Sequence, residues 1–490
     1  MSGKRNTCGA VAAGHPATAG TAAAILAEGG NAFDAAIAAL LAACVCEPVL
    51  ASLGGGGFMM AKPAGGTAEL IDFFCDTPIN KSPAEAVEFA EVFADFGTTR
   101  QPFHIGLGAT ATPGMAAGLQ MAADRHASLP MSDLAAPAVA LAAGGVAVTP
   151  FQAFLFEVVS PILTWTEEAR ALFAPGGNLL RAGETMVNPG LAEALSAFGS
   201  GDHGGLAYAM ISAIDPDRAH LSAADLAAYR PEVRAPIEAA LGRHRIMLNP
   251  RPALGGALVA AMLRALGDGA CDTAAQAAAV AAVDRAWRRD GIDAVWPATP
   301  GGQAGASSFR GTTHISVIDA AGNAVAATVS NGEGNGRVVP GRGFMMNNML
   351  GEEDVNPDGF HNWTPGRRLG SMMTPAIVEA DDGGIHALGS GGSNRIRTAI
   401  FQVLVNRLAA GLSPEQAVTA ARIHFEKEKL DIECAGRRAD TEKLCTLYSE
   451  CVHWPDNSLY FGGVHHVERS ADGEFSGAGD PRREGVFLIA

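Results

Sequence analysis

Residues 310–325 read RGTTHISVIDAAGNAV, and this segment sets the topology expected for the chain. Ile315, Val317 and Val325 alternate with small or polar residues, which is the period of a buried or half-buried strand. Between them lies the turn signal DAAGN, in which Gly322 can adopt a positive φ. The segment therefore predicts a strand, a tight turn and a second strand that pairs with the first.

The start of this hairpin also carries a possible catalytic group, because Thr312 follows Gly311. A Thr hydroxyl in this position can attack the preceding carbonyl, and an N-to-O acyl shift gives an ester that water hydrolyses. The new N-terminal Thr then supplies both nucleophile and base, since its free α-amine can take the proton from its own Oγ. A Gly-Thr pair more often marks an ordinary strand start, so the residues alone leave both interpretations open.

The composition describes a globular chain with a large core. Of its 490 residues, 48% are hydrophobic and 60 are Gly, which is ample for burial. No linker or charge run divides the chain, so either roughly two to four domains or one large layered unit fits its length. The net charge of −16 disfavours nucleic acids and anionic membranes as partners, because both bind basic surfaces.

The N-terminus and the cysteines predict a cytoplasmic protein. A basic start is followed by no apolar signal segment, and the apolar run around residues 35–45 is too short to span a bilayer. Eight cysteines occur at spacings that match no zinc pattern. We therefore expect free thiols in a reducing compartment and no metal site.

Helices and turns are expected on both sides of the hairpin. Residues 105–265 are expected to be mostly helical, residues 297–309 to form a mobile segment, and residues 426–456 to form an exposed, irregular excursion. The four glycines at 54–57 lack the following Lys of a P-loop, so they predict a tight turn into a buried strand. The helices expected from composition and capping signals span residues 17–27, 32–46 with Asn31 as N-cap, 115–126, 131–143, 274–289 and 396–408.

Several of these segments together resemble the gamma-glutamyltransferase (gamma-glutamyltranspeptidase) family of N-terminal-nucleophile hydrolases. They are TTHISVID at 312–319 with GNAV at 322–325, GNAFDAA at 30–36, and the glycine run that ends at Phe58. The likeness covers nearly the whole chain in order. It implies an α+β fold of the αββα type, with two antiparallel sheets between helical layers, and it implies no metal or organic cofactor.

The resemblance also implies a zymogen that cleaves itself. Its products would be a large fragment, residues 1–311, and a small catalytic fragment, residues 312–490. The two fragments would form a heterodimer that can oligomerise further.

The resemblance assigns candidate catalytic residues. The nucleophile falls on Thr312, and the hydroxyl that supports it falls on Ser330. The oxyanion hole falls on Gly391 and Gly392, where backbone N–H groups before a helix also suit a negative oxygen. Without the resemblance, an ordinary turn is the better interpretation of this glycine pair. Asn331 matches a substrate contact.

The positions that read the substrate differ from the family pattern. Phe74 replaces the Arg that clamps the α-carboxylate of the glutamyl group, a task suited to a guanidinium. Met349 replaces a Gln, Glu352 replaces the Asp that binds the amine, and the family's Ser-Ser pair reads Ser371-Met372. A buried carboxylate without its Arg is costly. We therefore expect a small-molecule amide substrate with an altered acyl group.

Three functions remain open from the sequence. The first is an amide-bond hydrolase or acyltransferase with altered acyl specificity. The second is true γ-glutamyl transfer or glutathione hydrolysis, with Arg395 or Arg397 supplying the missing cation. The third is an inactive relative that acts as a binding or structural protein. The intact Thr312 and Ser330 argue against the third function, and Phe74 argues against the second.

Overall fold

The computed structural model describes residues 7–95, 100–269, 271–296, 311–356, 359–434 and 438–490. The expected mobile segment 297–309 lies outside these residues. The strands are β1 (Gly9–Ala13), β2 (Gly56–Lys62), β3 (Glu69–Phe73), β4 (Ala90–Asp95), β5 (Arg100–Ile105), β6 (Val146–Ala147), β7 (Thr185–Met186), β8 (Glu232–Arg234), β9 (Ile237–Leu241), β10 (His244–Leu248), β11 (Thr312–Asp319), β12 (Ala324–Ser330), β13 (Ala376–Glu379), β14 (Ile385–Gly391), β15 (Ile423–Glu426), β16 (Lys429–Glu433), β17 (Glu450–Trp454), β18 (Gly463–Arg469), β19 (Phe475–Ala478) and β20 (Val486–Ile489).

The α-helices are distributed along the whole chain. They are α1 (Pro16–Ala27), α2 (Ala32–Cys46), α3 (Met115–His126), α4 (Met131–Gly144), α5 (Pro150–Val158), α6 (Ser160–Leu163), α7 (Glu167–Phe173), α8 (Pro189–Gly199), α9 (His203–Ser212), α10 (Ala223–Ala228), α11 (Gly255–Leu266), α12 (Thr273–Asp290), α13 (Ile292–Val295), α14 (Arg395–Leu404), α15 (Pro414–Thr419) and α16 (Arg438–Cys445).

Two antiparallel sheets organise the molecule. The first has the strand order β20-β1-β11-β12-β2-β3-β8, and the second has the order β19-β18-β14-β13-β10-β9. The predicted hairpin is confirmed as β11 and β12 at the centre of the first sheet. Its register places Thr312 opposite Ser330.

The alternation of side chains along β11 explains how the sheet is packed. Ile315 and Val317 lie in the apolar cluster shared with α1 and α2. Residues on the other face contact the second sheet, where the Ser316 hydroxyl donates to the His465 carbonyl at 3.1 Å. Because side chains alternate with a period of two, the central strand contacts a helix on one face and the second sheet on the other.

Helices contact the outward-facing sides of both sheets. Helices α1, α2 and α3 pack on the first sheet, and α11 and α14 pack on the second. Helix α2 is buried along its entire length, and its Ala-rich sequence allows this close packing. The predicted N-cap is confirmed, since the Asn31 side chain accepts hydrogen bonds from the backbone N–H groups of Phe33 and Asp34.

The expectation that residues 105–265 are mostly helical is confirmed, since α3 to α11 lie there. The segment also holds short strands, among them β8, β9 and β10, whose alternation is weak in the sequence. One expectation about local structure needs correction. The prediction of an irregular excursion at 426–456 is wrong. The segment holds β16, α16 and β17, and Leu430 and Ile432 are buried in the core, because apolar residues between the charges face inward.

The prediction that all cysteines are free thiols is also wrong. The structure pairs Cys445 with Cys451 in a disulfide, because the end of α16 lies beside β17. The other six cysteines form no disulfide among the described residues. None of the helices within the described ranges is both long and apolar enough to span a bilayer. The cytoplasmic location stays a prediction.

Candidate active site

Thr312 begins the buried strand β11 and is 3% exposed. A small cavity of about 20 Å³ lies beside it, which is room for about one water molecule. The cavity is lined by Phe74, Leu254, Thr312, Ser330, Met349, Gly370, Ser371, Met372, Met373, Ser393 and Ile396. The fold therefore brings the predicted nucleophile, its predicted supporting hydroxyl and four predicted substrate positions to one cavity.

The peptide bond before Thr312 is held from both sides of Gly311. The Ser330 hydroxyl donates to the Gly311 carbonyl at 2.6 Å, and the Gly311 N–H donates to a Glu333 carboxylate oxygen at 2.7 Å. A hydroxyl donor polarises the carbonyl and makes its carbon a better target for attack. The Gly332 N–H donates to the Ser330 oxygen at 3.1 Å and helps to orient the hydroxyl. Glu333 belongs to no recognisable motif, so nothing in the sequence marks it.

The predicted oxyanion turn lies against Thr312. Gly391 ends β14, and a Cβ atom there would lie 2.2 Å from the Thr312 carbonyl oxygen, so only glycine fits. Gly392 has a φ of 120°, and Ser393 has a φ of 57°, both of which turn the chain sharply into α14. The close approach brings this glycine turn next to Thr312, and its role as an oxyanion hole stays a prediction.

Two predicted substrate contacts do not line the cavity. The Asn331 side chain donates to the Met345 carbonyl at 3.3 Å. Glu352 is buried and lies against Gly332. A Cβ atom added to Gly332 would be 2.2 Å from a Glu352 carboxylate oxygen. Both residues therefore lie near the end of β12, and neither is among the residues that line the cavity.

Neither arginine considered as a replacement cation lines the cavity. Arg397 is fully buried, and its guanidinium pairs with Asp284 at 2.9 Å. Arg395 donates to the Tyr460 carbonyl at 3.0 Å, and its guanidinium lies over the Tyr460 ring. The residues that line the cavity are all uncharged.

A third arginine, which no sequence motif marks, pairs with the carboxylates on either side of Phe74 in the chain. Arg368 pairs with Asp72 at 2.6 Å and with Asp76 at 2.5 Å, on either side of Phe74 in the sequence. Its guanidinium also lies over the Tyr229 ring. Two carboxylates neutralise this cation, so it offers little attraction to the carboxylate of a substrate.

A buried carboxylate lies on the other face of β11. Glu47, just after α2, accepts hydrogen bonds from the hydroxyls of Thr313 at 2.7 Å and Thr18 at 3.0 Å. Burial raises the pKa of Glu47 to about 7, although these two hydroxyls and Arg483 lower it. The Arg483 guanidinium lies 3.4 Å from the Thr312 carbonyl oxygen, and burial lowers the pKa of Arg483 to about 10. In the sequence, Glu47 marked only the end of a helix before Pro48.

Comparison with known proteins shows the family of this chain. A family model described as gamma-glutamyltranspeptidase matches residues 18–289 and 287–490. This chain belongs to the gamma-glutamyltranspeptidase family.

Relatives in the gamma-glutamyltranspeptidase family include acylases and glutathione hydrolases. The acylase ACY 1 proenzyme of Pseudomonas sp. (strain SE83) is 30% identical, over 98% of this chain and 93% of the relative. The glutathione hydrolase proenzyme of Escherichia coli (strain K12) is 29% identical, over 94% and 87%. The structure of a cephalosporin acylase from Bacillus halodurans superposes with a TM-score of 0.84 at 24% identity, covering 100% of this chain and 97% of the other. The chain thus shares the fold of that cephalosporin acylase.

The predicted oxyanion turn at Gly391 and Gly392 gives a first prediction for this member of the gamma-glutamyltranspeptidase family. Gly392→Ala forces a side chain onto a φ of 120° and places its Cβ 2.7 Å from the Gly462 Cα, so the turn must move. We expect kcat/KM for an acyl anilide to fall about a hundredfold or more if the turn carries the oxyanion donors. Ser393→Ala is the matched control and should cost less than about tenfold. If Gly392→Ala and Ser393→Ala lose the same activity while both keep the circular dichroism of the wild type, the backbone N–H groups are not the oxyanion donors.

The raised pKa of Glu47 gives a second prediction. Between about pH 4.5 and pH 7, the Glu47 carboxyl keeps its proton in the folded protein but has lost it in the unfolded chain. The contribution of Glu47 to stability is therefore complete below about pH 4.5 and declines as the pH rises to 7, by about 3 kcal/mol in all. Glu47→Gln removes this titration.

The measurement is the free energy of unfolding from urea titrations, made at several pH values in a Thr312→Ala background that prevents self-cleavage. As the pH rises from about 4.5 to 7, the free energy of unfolding of the Glu47→Gln variant should increase by about 3 kcal/mol relative to that of the protein with Glu47. A difference between the two proteins that does not change with pH would show that Glu47 titrates normally.

Proposed function

We propose that this chain is a self-processing N-terminal-threonine amide hydrolase and acyltransferase with an αββα sandwich fold. The contacts on the bond before Thr312 support this proposal most strongly. A hydroxyl donor on the Gly311 carbonyl and a carboxylate acceptor for the Gly311 N–H hold the scissile group beside the Thr312 hydroxyl. An ordinary strand start needs neither contact.

The proposed reaction begins within the precursor. The Thr312 hydroxyl attacks the Gly311 carbonyl carbon, the C–N bond breaks, and the nitrogen takes a proton and becomes the α-amine of Thr312. Water then hydrolyses the ester and releases the carboxyl group of Gly311. Residues 1–311 and 312–490 remain together as a heterodimer, because β1 and β2 of the large fragment flank the β11–β12 hairpin in one sheet.

The mature enzyme repeats this chemistry on a small-molecule amide. The α-amine of Thr312 accepts the proton of its Oγ, which attacks the substrate carbonyl. Backbone N–H groups of Gly391 and Gly392 stabilise the developing oxyanion, and water or an acceptor amine releases the acyl group. One residue supplies nucleophile and base, so the proposed mechanism uses no metal or organic cofactor.

The lining of the cavity supports a substrate whose acyl group carries no carboxylate. Phe74, Met349 and Met372 present apolar side chains to it, and no charged residue is among the lining residues that the structure describes. Leaving a substrate carboxylate unpaired in such surroundings costs several kcal/mol. We therefore favour hydrolysis of an apolar or simple acyl amide over γ-glutamyl transfer.

Self-processing gives a direct test. Purified wild-type protein should separate on a denaturing gel into two fragments, and mass spectrometry should find the new N-terminus at Thr312. Thr312→Ala removes the attacking hydroxyl and should stay a single chain. Ser330→Ala keeps the nucleophile but removes the donor to the Gly311 carbonyl, so it should slow cleavage. Wild-type protein that remains intact after prolonged incubation would refute the proposal.

Acyl specificity gives a separate test. The wild-type enzyme should hydrolyse simple acyl anilides faster than γ-glutamyl anilides. Phe74→Arg supplies a guanidinium where the family carries one, so it should raise the γ-glutamyl to acyl ratio of kcat/KM by about tenfold or more. Phe74→Leu, which keeps the site apolar, is the control and should leave this ratio low. Efficient γ-glutamyl hydrolysis by the wild type would instead support a glutathione-hydrolase function.

A further inference from the structure

A cluster of three side chains lies in the small sheet formed by β15, β16 and β17. Cys451 and His453 are two residues apart on β17, so they project from the same face of the strand. Cys445 ends α16, which lies beside that strand. One ligand atom from each of the three residues lies within 4.8 Å of the others. The sequence spacing matches no common zinc motif, and only the fold brings the three together.

The contacts of His453 point to more than a structural disulfide. Its Nε2 atom lies 3.3 Å from the Cys445 sulfur. An imidazole is a poor partner for the sulfur of a disulfide, but it is a good companion ligand to a thiolate on a metal ion. All three residues are half-buried, which leaves a route for an ion from solvent.

We propose that Cys445, Cys451 and His453 bind one zinc ion when the disulfide is reduced. A dithiol reductant supplies two electrons and two protons, the S–S bond breaks, and two thiols form. Zinc then displaces both thiol protons, so two thiolates and a neutral imidazole hold it, with water as the fourth ligand. The charges of two thiolates balance that of the ion. Oxidation removes the thiolate ligands, so disulfide and metal exclude each other.

This site is separate from the cavity beside Thr312, since none of the three side chains is among the described lining residues. Packed groups link the cysteine cluster to the start of α14. Trp454, next to His453, stacks on Tyr460 with 4.7 Å between ring centroids. Arg395, at the start of α14, lies over the same Tyr460 ring at 4.8 Å.

A second cluster of possible ligands makes a useful control. His386, His466 and Glu468 also lie close together and are buried. Glu468, however, is already paired with Arg407 at 2.8 Å, and a cation so close opposes the binding of another. We therefore assign the metal to the cysteine cluster alone.

Cobalt(II) is the probe, because thiolate ligation gives it a strong charge-transfer absorption. The full-length protein is reduced with a dithiol, freed of reductant under nitrogen, and titrated with cobalt. We expect one ion per chain with that absorption, and displacement of the cobalt by zinc. The oxidised protein should show no such absorption.

Variants and a protection experiment complete the test. Cys445→Ser, Cys451→Ser and His453→Ala should each weaken binding by about tenfold or more, whereas Cys271→Ser and His466→Ala should bind as the wild type does. Zinc should also slow the alkylation of Cys445 and Cys451 in the reduced wild type, mapped by mass spectrometry, which needs no variant to fold. Absence of the absorption and of the protection, or binding lost only in His466→Ala, would overturn the proposal.

Discussion

The hydrogen bond from the Ser330 hydroxyl to the Gly311 carbonyl depends on the register between β11 and β12. Thr312 and Ser330 are direct cross-strand partners, so their side chains share one face of the sheet. A slip of one residue would move every side chain of β11 to the opposite face. It would bury Thr312 against α2 and turn Thr313 to the cavity. The neighbouring strands β1 and β2 pair with this hairpin along its length and prevent such a slip.

The space between the two sheets is polar at this point, and its groups are paired. His314 contacts the hydroxyls of Thr328 at 2.8 Å and Ser316 at 2.9 Å. Burial lowers the pKa of His314 well below its ordinary value, so the ring is neutral at physiological pH. Satisfied buried networks of this kind specify one arrangement, because each displaced group would lose its partner without gaining water. The strand that carries Thr312 is thus held rigidly from both faces.

Arg368 and Arg397 form ion pairs with carboxylates and do not line the cavity. Arg368 forms ion pairs with Asp72 and Asp76, which neutralise its charge. Arg397 is directed to Asp284 on α12. These buried pairs stabilise the walls of the site and leave its lining uncharged. Under the proposed function, the acyl group of the substrate would be recognised mainly by shape and apolar contact, which discriminates less sharply than a charge clamp.

The sequence by itself determined the local parts of this protein. Alternation predicted the hairpin at 312–330, a capping residue predicted the helix that begins after Asn31, and motifs indicated the family. Each of these signals acts over a few residues. Phe74, Met349 and Met372 could also be singled out, because they depart from a recognisable pattern. Short strands such as β9 and β10 were missed, since their pattern is weak without a partner strand.

Only the tertiary structure decided which distant groups meet. It joined Glu47 to Thr313, Glu333 to Gly311 and Cys445 to Cys451, and it paired the Asn331 side chain with the Met345 carbonyl. The physical reason is that a side chain's partners depend on the packing of sheets and helices that are far apart in the chain. Local propensity specifies which face of a strand a residue occupies, but not what lies across from that face.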